Sequence, residues 1–245
     1  MDAGILGLKT KEELKDYMEE LGLRFQFGCF KENNPTSCHS LAQWYESYKN
    51  SPKDCAEILK DNCFERKFGE SCLKYGVFKL TGKTDVLRDP LVAYKAFEFG
   101  CQSGAHGKCC QAAGRLVAEG IVSHAPKLTA ASPLFERGCQ LGLSESCFHL
   151  GGASICLAQK LENNGEKGNA TTAEINALRS KALYAWSEGC KLGHELSCRN
   201  VARMYEMGDG VPADSKKAAH YNQLAENIAK ENPRLSERNP EVDSH

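Results

Sequence analysis

Ten of the thirteen cysteines in this 245-residue chain fall into five close pairs: Cys29/Cys38, Cys63/Cys72, Cys101/Cys109, Cys139/Cys147 and Cys190/Cys198. Seven or eight residues intervene within each pair, and the first members recur after 34, 38, 38 and 51 residues. The last interval is longer because of the polar stretch Asn163 to Ala173. A period of this size is that of helical-hairpin solenoids, where one unit cannot bury its apolar face alone and neighbours stack to cover it. Cys55, Cys110 and Cys156 stand outside the pattern.

The pairs admit two readings. As disulfides they need an oxidising compartment; as reduced thiols they are small buried hydrophobes in the cytosol. Paired spacing favours disulfides, since burial alone gives cysteines no reason to come in twos. The leading residues MDAGILGLKTKEEL show neither the basic and apolar regions of a secretory signal nor the Arg- and Ser-rich character of a mitochondrial presequence. The mitochondrial intermembrane space, where import is coupled to oxidation of paired cysteines, fits both observations.

Each unit reads as helix, tight turn, helix. Gly104, Gly142 and Gly193 follow the first cysteine by three residues, where a helix ends in a left-handed glycine. Ser37, Ser71, Ser146 and Ser197 immediately precede the second cysteine and suit the cap or first turn of the next helix, with Glu70, Glu145 and Glu195 favouring its positive end. Gly28, Gly100, Gly138 and Gly189 precede the first cysteine and allow close helix approach. A staple across such a hairpin contributes about 2.5 kcal/mol on the chain-entropy model. The expected chain is a right-handed all-α solenoid over residues 1–231. A capping-box helix (Thr10 to Glu13 onward) spans 10–22, five repeats span about 23–210, a closing helix spans 214–230, and 232–245 form a disordered tail.

Thirty-one basic and 32 acidic residues leave a net charge of −1, which argues against nucleic acid as partner, and no apolar run approaches the length of a membrane span.

The fifth unit, GCKLGHELSCRNVARMYEMGDGVPADSKKAAHY, resembles the Sel1-like repeat through Tyr205, Gly208, Gly210, Val211, Asp214, Lys217 and Ala218. With its staples the chain is similar to the cysteine-rich Hcp, β-lactamase-like family. The leading helix, the wider first two pairs and NCFERKFGESCLKYGVFKLTGK resemble the animal mitochondrial members of that family. The resemblance implies a soluble intermembrane-space factor for assembly of respiratory complex IV, cytochrome c oxidase. The same resemblance implies action by binding proteins, copper metallochaperones among them, with haem b and disulfide reduction as associated chemistry. The alternative classes are a thiol-disulfide reductase and a secreted penicillin-interacting protein.

The chemical motifs are few. Ser71-Cys-Leu-Lys74 matches the S-x-x-K signature, but Ser71 shares a repeat slot with three other serines and no S-D-N or K-T-G accompanies it. Gly82-Lys83-Thr84 imitates the end of a P-loop without the preceding strand or the first glycine. Cysteines seven or eight residues apart do not have zinc-ligand spacing. His194 and Met204, in the best-conforming repeat, are the candidate haem ligands, and the absence of C-x-x-C-H excludes covalent attachment. Cys110, beside a cysteine expected to be stapled to Cys101, is the candidate reactive thiol, with burial as an apolar spacer the competing reading for Cys55, Cys110 and Cys156. The aromatics, including Trp44 and Trp186, are expected in helix pairing. Asn169-Ala-Thr171 is a glycosylation sequon in the polar insert.

Overall fold

A computed structural model describes residues 10–83, 85–122, 125–163 and 171–231. Eleven helices account for nearly all of them: α1 (Lys11–Phe30), α2 (Pro35–Ser47), α3 (Pro52–Phe64), α4 (Gly69–Thr81), α5 (Pro90–Gln102), α6 (Gly107–Ala118), α7 (Leu128–Gln140), α8 (Ser144–Asn163), α9 (Thr172–Lys191), α10 (Glu195–Met207) and α11 (Ser215–Glu231). The chain divides into two compact units, residues 1–109 and 110–245.

Local chemistry explains where the helices begin. Thr10 and Glu13 form the expected capping box, and Thr171 and Glu174 form a second one at α9. Asn34 and Asp89 cap α2 and α5 with their carboxyl or amide oxygens, each followed by proline at the first helical position, where a missing N–H costs nothing. Asp214 Oδ1 accepts from the amides of Lys216 and Lys217 at the start of α11. That helix corresponds to the closing helix expected at 214–230.

In the first unit α1 packs on α2, α2 on α3, α3 on α4 and α4 on α5. Its core gathers Leu41, Ala42, Leu59, Tyr75 and Phe78, with Trp44 between α1 and α2. The separate N-terminal helix expected at 10–22 is instead the start of one 20-residue helix, so it is already the first arm of the first hairpin. Gly22 does not end it, because that glycine seats the Trp44 indole, and a Cβ there would overlap the ring. The indole N–H donates to Met18 O at 2.8 Å.

In the second unit α7 packs on α8, α8 on α9, α9 on α10 and α10 on α11. Here Gly151 seats Trp186, whose N–H donates to Phe148 O at 3.1 Å, repeating the arrangement of Trp44. Residues 232–245, expected to be a tail, and Asn169 of the sequon lie outside the described residues. No helix among the described residues is long and apolar enough to cross a membrane.

Candidate functional site

The hairpin turns carry the chemistry of this chain. Every first arm ends one residue past a cysteine: at Phe30, Phe64, Gln102, Gln140 and Lys191. The fourth residue of every second arm is also a cysteine: Cys38, Cys72, Cys110, Cys147 and Cys198. Bridges Cys29–Cys38, Cys63–Cys72, Cys139–Cys147 and Cys190–Cys198 are formed, with Cα atoms 4.5–4.7 Å apart.

The third hairpin corrects the sequence expectation. Cys110 is disulfide-bonded, as is Cys101, whereas Cys109 is a buried free thiol. No Cys101–Cys109 bridge exists, and Cys110 is not available as a reactive thiol. The physical reason is helical phase. Cys109 is the third residue of α6, the slot filled elsewhere by Ser37, Ser71, Ser146 and Ser197, and one residue on a helix turns a side chain by about 100°. This slot faces the residue before the first cysteine. A Cβ at Gly28, Gly138 or Gly189 would overlap the Oγ of Ser37, Ser146 or Ser197, and one at Gly100 would lie 2.7 Å from Cys109 Sγ.

Gly104 suggested the wrong register because it matches Gly142 and Gly193 in position. The left-handed residue of this turn is Ala105 (φ 45°), four residues after the cysteine. Asn33 (52°) and Lys67 (56°) occupy the same place in the first two turns, while Gly142 (80°) and Gly193 (81°) come three residues after theirs. The turn bonds agree: His106 N–H donates to Gly100 O at 3.1 Å, as Asn34 donates to Gly28 and Phe68 to Asn62. The third turn is therefore of the longer kind. Packing downstream keeps this phase too. Gly76, Gly114 and Gly151, each four residues after the fourth-position cysteine, seat Phe97, Phe135 and Trp186.

Asn62 stands where the other four hairpins have glycine. Its amide donates to Ser71 Oγ and to Pro35 O, both at 2.8 Å, and Ser71 Oγ shares a 2.9 Å hydrogen bond with His39 Nδ1. Ser71 is fully buried, and Lys74 Nζ is ion-paired to Glu46 at 2.7 Å. The S-x-x-K residues thus form a packed polar contact with no surface for an acyl donor. Thr84 of the Gly82-Lys83-Thr84 sequence is outside the described residues; Lys83 pairs with Val86 in a β-bridge that closes the α4–α5 turn.

His194 and Met204 are not brought together. His194 caps α10: its Nδ1 accepts the Ser197 amide at 3.2 Å, and its ring lies against Phe148 at 4.8 Å. Met204 is buried against Ala182, Trp186 and Val201 near the other end of the same helix. Ten residues of helix separate them by about 15 Å, so one iron cannot take both as axial ligands. The two residues do not fit a haem.

The free thiols differ in accessibility. Burial pushes the Cys109 thiol up to about 12, with Glu70 adding to it, and its S–H donates to Gly69 O at 3.4 Å. Burial does the same to Cys55, also to about 12. Cys156 is exposed and lines an apolar cleft of about 270 Å³ with Arg115, Glu119, Phe135, Phe148 and His149. His149 stacks on Phe135 at 5.3 Å, and its pKa is lowered by burial and then by the Arg115 charge.

One face of α1 exposes a row of apolar side chains. Leu23, Phe27 and Phe30 remain 65, 59 and 63 % exposed on the outer face of α1, one above another at helical spacing. Glu12, Asp16 and Glu20 continue the same face toward the N-terminus, all exposed. Nothing in the periodic pattern of the sequence signals this stripe, because the eye assigns apolar helical positions to a core.

The comparisons agree with this architecture. No model of a known protein family matches the chain. The crystal structure of a Sel1 repeat protein from Oxalobacter formigenes superimposes with a TM-score of 0.63, covering 94% of this chain and 92% of that one at 16% identity. The fold is thus an all-α, disulfide-stapled Sel1-like repeat of the α-solenoid class. Among characterised sequences, cytochrome c oxidase assembly factor 7 of Xenopus tropicalis is 32% identical over 92% of this chain and 93% of its own length. Assembly factor 7A of Xenopus laevis is 31% identical over 98% of both, and the Homo sapiens protein 28% over 94% and 95%. The chain belongs to the cytochrome c oxidase assembly factor 7 family.

Proposed function

We propose that this chain is an assembly factor for cytochrome c oxidase that works in the mitochondrial intermembrane space by binding proteins of the assembly pathway, copper metallochaperones among its clients. The observation that carries the reading is relationship over almost the whole length to proteins named for that role. The staples support the compartment: ten cysteines are disulfide-bonded, a state that persists in an oxidising space. Protein binding is favoured over catalysis by what surrounds the thiols. A reductase needs an accessible thiolate with a resolving partner. Cys109 and Cys55 are buried with raised pKa values, Cys110 is already oxidised, and the exposed Cys156 has no second accessible thiol among the described residues to resolve a mixed disulfide.

The test is removal of the gene product from cells, followed by native-gel analysis of the respiratory complexes. Complex IV falls selectively and returns on re-expression; unchanged complex IV overturns the assembly role. In mitochondria of the re-expressing cells, protease reaches the protein only after the outer mitochondrial membrane is opened. Digestion in intact mitochondria, or protection after opening, overturns the compartment.

A further inference from the structure

The outer face of α1 is the end of the first unit's helical stack, since α1 packs on α2 and no other described helix of that unit covers its other side. A terminal repeat ordinarily turns a polar face outward, because no neighbour follows to bury an apolar one. Here Leu23, Phe27 and Phe30 form an apolar half-stripe about 10 Å long, and Glu12, Asp16 and Glu20 form an acidic half-stripe on the same face. Glu20 is paired to Arg24 at 2.6 Å, but Glu12 and Asp16 make no ion pair among the described residues. In the second unit, α11, the last described helix, presents polar His220, Gln223, Glu226 and Asn227. The asymmetry sets α1 apart as a surface built for contact.

From this face we infer that α1 docks a basic amphipathic helix of a client protein. The client's apolar anchors cover Leu23, Phe27 and Phe30, and its Lys or Arg residues one to three turns away meet Asp16 and Glu12. The helix-on-helix mode follows from the i, i+4, i+7 spacing of the apolar residues. Charge complementarity selects the partner. A second copy aligned in parallel would set carboxylates against carboxylates, and one fully overlapped in antiparallel would lay carboxylates on the apolar half. An anionic membrane would be repelled by the same acidic residues. The inference deepens the protein-binding reading above and rests on it.

The experiment titrates the oxidised full-length protein with a fluorescent Leu/Lys amphipathic peptide and, separately, its Leu/Glu counterpart. The Leu/Lys peptide binds and weakens with rising salt, and the Leu/Glu peptide does not bind. Phe27→Ser and Leu23→Ser each weaken binding by about tenfold, while Glu12→Lys with Asp16→Lys reverses the preference between peptides. These positions are exposed, so circular dichroism melts of the variants match the parent. Binding indifferent to Phe27→Ser and Leu23→Ser overturns the inference. So does a sedimenting dimer that Phe27→Ser dissolves, or tighter capture by phosphatidylserine vesicles than by the peptide. In cells, Phe27→Ser fails to restore complex IV. A variant that loses the peptide but fully restores complex IV removes the stripe as client surface and leaves the assembly role standing.

Discussion

Two adjacent cysteines in α6 should behave as opposites. Cys109→Ser places in the third position the residue found there in the other four hairpins, beside Gly100 and within reach of Gly69 O. It removes one weak S–H donor and restores a hydroxyl one, so its effect on stability stays within about 1 kcal/mol. Adding Cys110→Ser to that variant removes a disulfide. The staples of this chain join residues eight or nine apart, and closing such a loop is worth about 2.5 kcal/mol. For a chain of this size that loss lowers the melting temperature by about 5–10 °C. Using the Cys109→Ser background prevents Cys109 from taking over the vacated partner. Thermal melts at 222 nm under non-reducing conditions, with peptide mapping of the disulfides, read both effects. If Cys109→Ser alone costs the full amount and the second substitution adds nothing, the staple lies one residue earlier and the phase argument fails.

Other consequences follow from the same geometry. A Cβ at Gly76 overlaps the Phe97 ring, so Gly76→Ala destabilises by about 1–2 kcal/mol after its helix-propensity gain. Phe97→Leu on that background recovers part of the loss, because the first hairpins already pair Ala42 with Leu59 in one core; a double-mutant cycle with no coupling refutes the seating. Thiol titration with an aromatic disulfide reagent detects Cys156 in the native protein and three thiols after unfolding, whereas rapid reaction of Cys55 or Cys109 in the native state contradicts their burial. His39, His106, His149 and His194 all have pKa values lowered from 6.5, burial being the first cause in each. The fold holds them neutral and the unfolded chain protonates first, so stability is full above the unfolded value and falls as pH drops through 6.5 toward the folded values. Denaturant midpoints lower at pH 5.5 than at pH 7.5, with a smaller difference in His149→Gln, support this; a flat profile opposes it.

The hairpin periodicity, the Thr10–Glu13 capping box, the left-handed Gly142 and Gly193 and four of the five bridges could be read directly from the residues. These features are local: a cap acts within three residues, and a staple of eight or nine residues spans one turn. The extent of α1 was not legible, because a glycine at position 22 reads as a break until Trp44, from the next helix, is seen to rest on it. The exposed stripe on α1 was hidden for a related reason, since apolar spacing does not say whether a neighbour covers it. The third hairpin shows the division most sharply. Its sequence carries Gly104 with Cys109 and also Ala105 with Cys110, so spacing alone permits either register. The choice rests on what a helix must do beyond its own turn. Only with Cys110 in the fourth position does Gly114 fall beneath Phe135, and only then does Cys109 face Gly100. Local chemistry made the hairpins; the phase of each against its neighbours belonged to the tertiary packing, because a shift of one residue is nearly free in a turn and prohibitive in a close-packed core.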